Sequence, residues 1–254
     1  MPQTPVLSAL LKVGIMFLPA IPAYLWIWPA INGTGETIFQ VLVYIYVLFG
    51  TIFIGRKYWK WHELGINRQG IWISLACALS FVIARGLIIL GVSWKVSPDP
   101  VSPWGLAWDI FYLFFLVGLT EELLFRGLIY HALEEQKNTR WAIWGSAFGF
   151  MLWHIFGQGV LIGLATFVIG LVFALIRQRG GGIVGLIVLH GLWDLESTLL
   201  VAGDNTTILG QGLPQISSFP LIYLGTGLLV IPPLYLWLVY PRRHTEPSHT
   251  VVHR

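Results

Sequence analysis

The sequence predicts an all-α, polytopic membrane protein with about eight transmembrane helices around a polar intramembrane cavity. Three observations carry the prediction. Of the 254 residues, 56% are hydrophobic and only 11% charged, against about 25% charged in an ordinary soluble domain. The apolar residues fall into runs of about 17 to 25, the length a helix needs to cross a bilayer. Lys and Arg gather in alternate connections between those runs, as the positive-inside rule requires of an even number of spans.

In order, the spans lie at roughly 6–28, 37–55, 71–92, 105–130, 141–157, 159–176, 183–201 and 219–240. The first is long enough to cross, ends on Trp26 and Trp28 and lacks a small-x-small cleavage site, so it reads as a retained helix. Pro98, Pro100 and Pro103 interrupt the chain after the third span, Gly180, Gly181 and Gly182 after the sixth, and Gly203 to Ser218 form the longest loop. The fifth and sixth spans are joined only by "FGQG" and must be antiparallel neighbours. "GSAFG" at 145–149 and "GVLIG" at 159–163 each offer a small-xxx-small face for close helix approach. The whole chain, 1–254, reads as a single transmembrane domain.

Direction follows from the basic residues. Arg56, Lys57, Lys60 and Arg68 lie in the second connection, Lys137 and Arg140 in the fourth, Arg177 and Arg179 in the sixth, and Arg242, Arg243 and Arg254 in the tail. The odd-numbered connections hold only Lys95, alongside acidic Glu36, Asp99 and Asp204, with Glu196 near the end of the seventh span. Both termini are therefore expected on the cytoplasmic side. Short loops and compact size point to a bacterial plasma membrane. The lone Cys77 excludes a disulfide framework and any cysteine-based metal site, and no nucleic-acid partner is expected.

Against this apolar background stand Arg85, Glu121, Glu122, Arg126, His154, His190 and Asp194. A charge at membrane depth is expensive, so each is a candidate functional residue. At 1.5 Å rise per residue, Glu121 and His154 lie about 20 Å from the cytoplasmic end of their spans, His190 about 10 Å and Asp194 about 16 Å. Polar groups from separate helices thus share one slab. Glu122 and Arg126 are four apart and stack as an ion pair. Glu121 points about 100° away and is left free to face something else. Phe150 with His154, and His190 with Asp194, repeat the four-residue spacing.

Plainer readings exist for each residue. Glu122 with Arg126 serves equally as a structural ion pair, a lone His154 or His190 as an interhelical hydrogen bonder, and Arg85 as a counter-ion. His131, Glu134 and Glu135 read as a solvated helix end. His62 and Glu63 sit in "WHELG", which lacks the second histidine of an HExxH zinc motif. Convergence of the others at one depth favours chemistry. A carboxylate beside a histidine in a dry cavity suits general-base activation of water, with Arg126 keeping Glu122 ionised and a histidine donating to an oxyanion. No GxSxG or GxGD motif offers a serine or aspartyl alternative. The residues read as a site for hydrolysing a carbonyl compound reached from the membrane.

"EELLFR" (Glu121, Glu122, Arg126), "FMLWH" (Phe150, His154) and "HGLWD" (His190, Asp194) resemble, in order, the EExxxR, FxxxH and HxxxN/D motifs of the CAAX-protease and bacteriocin-processing family of intramembrane glutamic endopeptidases. The resemblance covers a core of about 105–200. It implies that Glu121 and His154 activate water, that Glu122 and Arg126 support and orient them, and that His190 with Asp194 lines the oxyanion site. It also implies a membrane-associated peptide or protein substrate, with or without a lipid, and no cofactor or metal. Asp194 replaces the asparagine of the eukaryotic members, and an ionised aspartate cannot donate to an oxyanion. Asp194 instead orients His190 or is protonated in the cavity.

Two other classes use the same residues. A divalent-metal hydrolase would take Glu121, His154, His190 and Asp194 as ligands. A non-catalytic membrane scaffold, immunity protein or transporter would use them for docking or proton relay, although no inverted repeat favours transport.

Overall fold

The computed structural model describes residues 5–19, 34–66, 71–92, 102–179 and 182–200, with positions 22, 23, 27, 30 and 31. The expected eighth span and the tail lie outside the described residues, as does the side chain of Arg85. Among the described residues the regular structure is helical throughout, with no strand. The helices are α1 (Pro5–Phe17), α2 (Thr34–Tyr58), α3 (Ile71–Val92), α4 (103–136), α5 (Thr139–Gln158), α6 (Val160–Gln178) and α7 (Ile183–Leu200). Two of them, α2 and α6, are long and apolar enough to cross a membrane by length and composition.

The expected spans at 37–55, 71–92, 141–157, 159–176 and 183–201 fall on α2, α3, α5, α6 and α7. The fourth differs. It was expected to end near 130, whereas α4 continues to Gln136, where Lys137 leaves the helical region with φ −124°. Its start is set locally: Ser102 is extended and its side chain accepts from Gly105 N–H, while Pro103 takes the first helical position, where its missing N–H is harmless.

Two stretches of α4, Tyr112–Gly118 and Leu123–Ile129, are wound as π-helix around a single α turn, Leu119–Glu122. Such windings are rare and concentrate at functional sites. Every residue from Thr120 to Leu128 is buried. A helix buried all round is a central one, and α4 is enclosed by α1 and α2 on one side, α5 and α6 on another, and α7 on a third.

Close approach of the helices rests on small residues. Gly159, at φ 90°, forms the turn between α5 and α6. Farther along that hairpin, a Cβ at Gly170 would lie 3.1 Å from Ala147 Cα. At the "GSAFG" face, a Cβ on Gly145 would strike Leu133 and one on Gly149 would touch Phe125. The expected small-residue packing therefore joins α5 to both α4 and α6. Large apolar side chains such as Phe49, Phe53, Trp72, Leu87, Trp104 and Trp144 point outward and are exposed.

Candidate active site

Glu121 and Glu122 follow one another on the α turn between the two π stretches, so their side chains diverge. Glu121 faces α2 and α5. Tyr44 Oη donates to its Oε1 at 2.7 Å and Trp153 Nε1 donates to the same oxygen at 2.9 Å. Its other oxygen, Oε2, is buried and has no protein hydrogen-bond donor. Around Oε2 stand His190 Nε2 at 3.6 Å and His154 Nε2 at 3.9 Å, separations too long for direct hydrogen bonds.

The ring of His154 is oriented by its own helix. Its Nδ1 lies 2.9 Å from Phe150 O, and the ring leans on Phe150 with centroids 4.4 Å apart. A carbonyl only accepts, so Nδ1 carries the hydrogen and Nε2 of the neutral ring presents a lone pair toward Glu121. The FxxxH spacing thus supplies both the backbone acceptor and a tilted aromatic contact.

Glu122 faces the other way. Its Oε1 accepts from Arg126 Nη1 at 2.9 Å and lies 2.8 Å from His190 Nδ1. Both side chains of the ion pair are fully buried. Arg126 Nη2 also donates to Gly170 O at 3.3 Å, a bond that the tight α5–α6 approach brings within reach. The guanidinium lies over Phe150 at 4.2 Å and Phe173 at 5.1 Å, where aromatic faces replace part of its lost hydration. Its carbonyl accepts from Arg177 Nε at 3.2 Å, while Arg177 Nη2 donates to Glu63 O at 3.1 Å in the 59–66 loop.

His190 is held at both ring nitrogens, by Glu122 at Nδ1 and by Asp194 Oδ2 at 3.3 Å from Nε2. Donation to both carboxylates at once requires the ring to carry two hydrogens. Asp194 is the outermost member, with a quarter of its side chain exposed. Glu121, Glu122, Arg126, His154, His190 and Asp194 therefore converge at one place. The expected ion pair forms, and Glu121 does face away from it. Glu122 and Arg126 adjoin His190 and not His154, so they orient the α7 histidine. Among the described residues, no group of three or more His, Cys, Asp or Glu side chains is arranged to hold a metal ion.

Residues 103–195 match the family model described as type II CAAX prenyl endopeptidase Rce1-like. Over this stretch the sequence is similar to the CAAX-endopeptidase family. The match covers less than half of the chain and contains all six converging residues. No curated protein and no solved structure matches the chain.

Three partners of the site escape the CAAX-endopeptidase motifs: Tyr44, Trp153 and the carbonyl of Gly170. Trp153 directly precedes His154 and could have been suspected from its place in "FMLWH". Tyr44, on α2, lies outside the matched stretch and no local signal marks it. Trp153 also borders a mainly apolar groove of about 360 Å³ between α1, α4 and α5, lined among others by Leu10, Phe17, Phe125, Leu152 and Phe156.

Proposed function

We propose that the protein is an intramembrane glutamic endopeptidase that hydrolyses peptide bonds of membrane-associated substrates. The observation that carries this reading is Glu121 Oε2, a buried acceptor without a protein donor, with an imidazole Nε2 from each of two other helices beside it. The family match over 103–195 supports the same activity. The outward-facing apolar side chains and the apolar lengths of α2 and α6 support a membrane-embedded chain. The basic residues of alternate connections favour cytoplasmic termini, and the compact size and short loops a bacterial plasma membrane.

A water between Glu121 Oε2 and His154 Nε2 meets two acceptors. It donates one hydrogen to each and turns a lone pair toward the scissile carbonyl. As its oxygen bonds to the carbonyl carbon, its proton passes to Glu121. The negative charge moves to the carbonyl oxygen and is met by the Nε2–H of His190. Collapse of the adduct breaks the C–N bond, and the proton returns to the departing amine. Glu122 fixes the opposite edge of His190, and Arg126 balances the charge of Glu122. Asp194 accepts from His190 at rest and orients it. The family's description reads CAAX prenyl endopeptidase, and the apolar groove at Trp153 suits a hydrocarbon chain, so lipidated peptides belong among the substrates tried.

The test is cleavage of a membrane-peptide library, lipidated members included, by detergent-purified protein as wild type, as Glu121→Ala and with a strong chelator. Cleavage lost in Glu121→Ala and kept with chelator is expected. Loss with chelator as well would transfer the reaction to a metal-dependent hydrolase. Absence of cleavage from folded protein under every condition would leave a non-catalytic scaffold.

A further inference from the structure

A carboxylate has two chemically equal oxygens, and its terminal torsion is broad and roughly two-fold. Nothing intrinsic to Glu121 chooses which oxygen meets a water. The surroundings do choose: both neutral donors reach Oε1, and both imidazole Nε2 atoms stand at Oε2. The donors are themselves held. The ring of Tyr44 packs edge-on against Tyr112, at 6.0 Å, and Trp153, at 6.1 Å. Tyr112 is tied back to α2 through Gln40, and Trp153 meets Phe17 of α1 edge-on at 5.5 Å.

We infer that Tyr44 and Trp153 are positioning residues: by donating together to Oε1 of Glu121, they leave Oε2 alone as the oxygen that takes the proton. The inference rests on the endopeptidase reading above and adds two residues to it. Their bonds go to Glu121 and not to the scissile bond, although the Trp153 ring also borders the apolar groove. Both donors are uncharged, so they stabilise the ionised carboxylate without competing with Arg126 for Glu122. The titratable and charged groups around Glu121 are His154 on α5, His190 with Asp194 on α7, and Glu122 with Arg126 on its own helix. Tyr44 and Trp153 belong to α2 and α5.

Tyr44→Phe removes one hydroxyl and keeps the ring; Trp153→Phe removes the indole N–H and keeps an aromatic group. Each is expected to lower kcat about ten-fold, with KM unchanged for Tyr44→Phe, and to move the acid limb of the pH–rate profile upward by about one unit, because an ionised carboxylate loses a donor. The double variant moves it farther. A second measurement does not depend on turnover. Infrared difference spectra taken through a pH titration, with Glu121→Gln assigning the band, give the protonation midpoint of Glu121 directly. A higher midpoint in both variants supports the inference. An unmoved midpoint in both overturns it, even where cleavage falls, because the aromatic rings would then act only as packing. Cleavage retained in Glu121→Gln defeats the endopeptidase mechanism itself, whatever the spectra of the other two variants show.

Discussion

His190 Nδ1 lies 2.8 Å from Glu122 Oε1, joining α7 to the centre of α4 through an oxygen that also accepts from Arg126. On the membrane-embedded reading proposed above, helices gain little from apolar burial against one another, and polar bonds and close packing hold them together. This buried network is therefore both the seam between two helices and the mount of the His190 ring.

Removing the cation leaves Glu122 buried without its charge partner. Arg126→Met is expected to destabilise the folded protein by about 3–5 kcal/mol. Glu122→Gln/Arg126→Met should recover part of the loss, since neither member then carries a charge. Thermal unfolding in detergent measures both; a double variant no more stable than Arg126→Met would contradict the pairing.

Glu121→Gln keeps an oxygen for Tyr44 and Trp153 but no longer takes a proton. It should fold as wild type and lose about 10²–10⁴ in kcat. Single-turnover cleavage of a library substrate, with unfolding temperature as the control, checks this. Near-wild-type turnover would remove Glu121 from the chemistry.

Asp194 holds His190 Nε2 from the half-open side of the site. Asp194→Asn retains an acceptor and adds a donor, so its kcat should stay within about three-fold of wild type, whereas Asp194→Ala should fall about ten-fold with KM unchanged. Equal losses in both would mean that the carboxylate charge, and not the hydrogen bond, is what matters.

Much of this site was legible in the sequence because four-residue spacing is a local property. Glu122 with Arg126, Phe150 with His154 and His190 with Asp194 each lie one turn apart on their own helix, and the divergence of Glu121 from its neighbour follows from the same geometry. What joins separate helices was not legible. The attachment of Glu122 to His190, the Tyr44 bond to Glu121 and the Gly170 carbonyl beneath Arg126 depend on how helices pack, and no spacing encodes that. The π windings of α4 also escaped, since apolar periodicity averages over their locally shifted register. The helical class and the limits of the helices at 71–92, 141–157, 159–176 and 183–201 were readable from long apolar runs, while the extension of α4 past 130 was hidden by its polar last turns.

The 59–66 loop packs against the end of α6 through Gly65. Its φ is 85°, and an added Cβ would lie 2.7 Å from Arg177 Cζ. Gly65→Ala should destabilise by about 1–3 kcal/mol. Gly14→Ala, where a Cβ meets nothing within 4 Å, is the matched control. Equal unfolding temperatures for the two would refute the clamp.

In the same loop, the Lys60 backbone N–H donates to Glu63 Oε2 at 2.6 Å and holds that carboxylate below the ordinary glutamate value of 4.5. The folded value lies beneath the unfolded one, so the contribution is full above pH about 4.5 and is lost as pH falls through the folded value. Glu63→Gln should flatten this part of the stability–pH curve. Identical acid profiles for the two proteins would show that the loop bond carries no linkage.

Tyr44 places a donor to Glu121 some sixty residues upstream of the stretch that matches the family. Leu64, buried at 1% exposure, presses its carbonyl toward Gly127 from the same upstream region. The recognisable segment is therefore not a self-sufficient module. Grafted onto another scaffold or expressed alone, 103–195 would carry every motif residue yet lack the hydroxyl that turns Glu121, whereas a split protein cut between α2 and α3 could regain it when its two pieces reassemble.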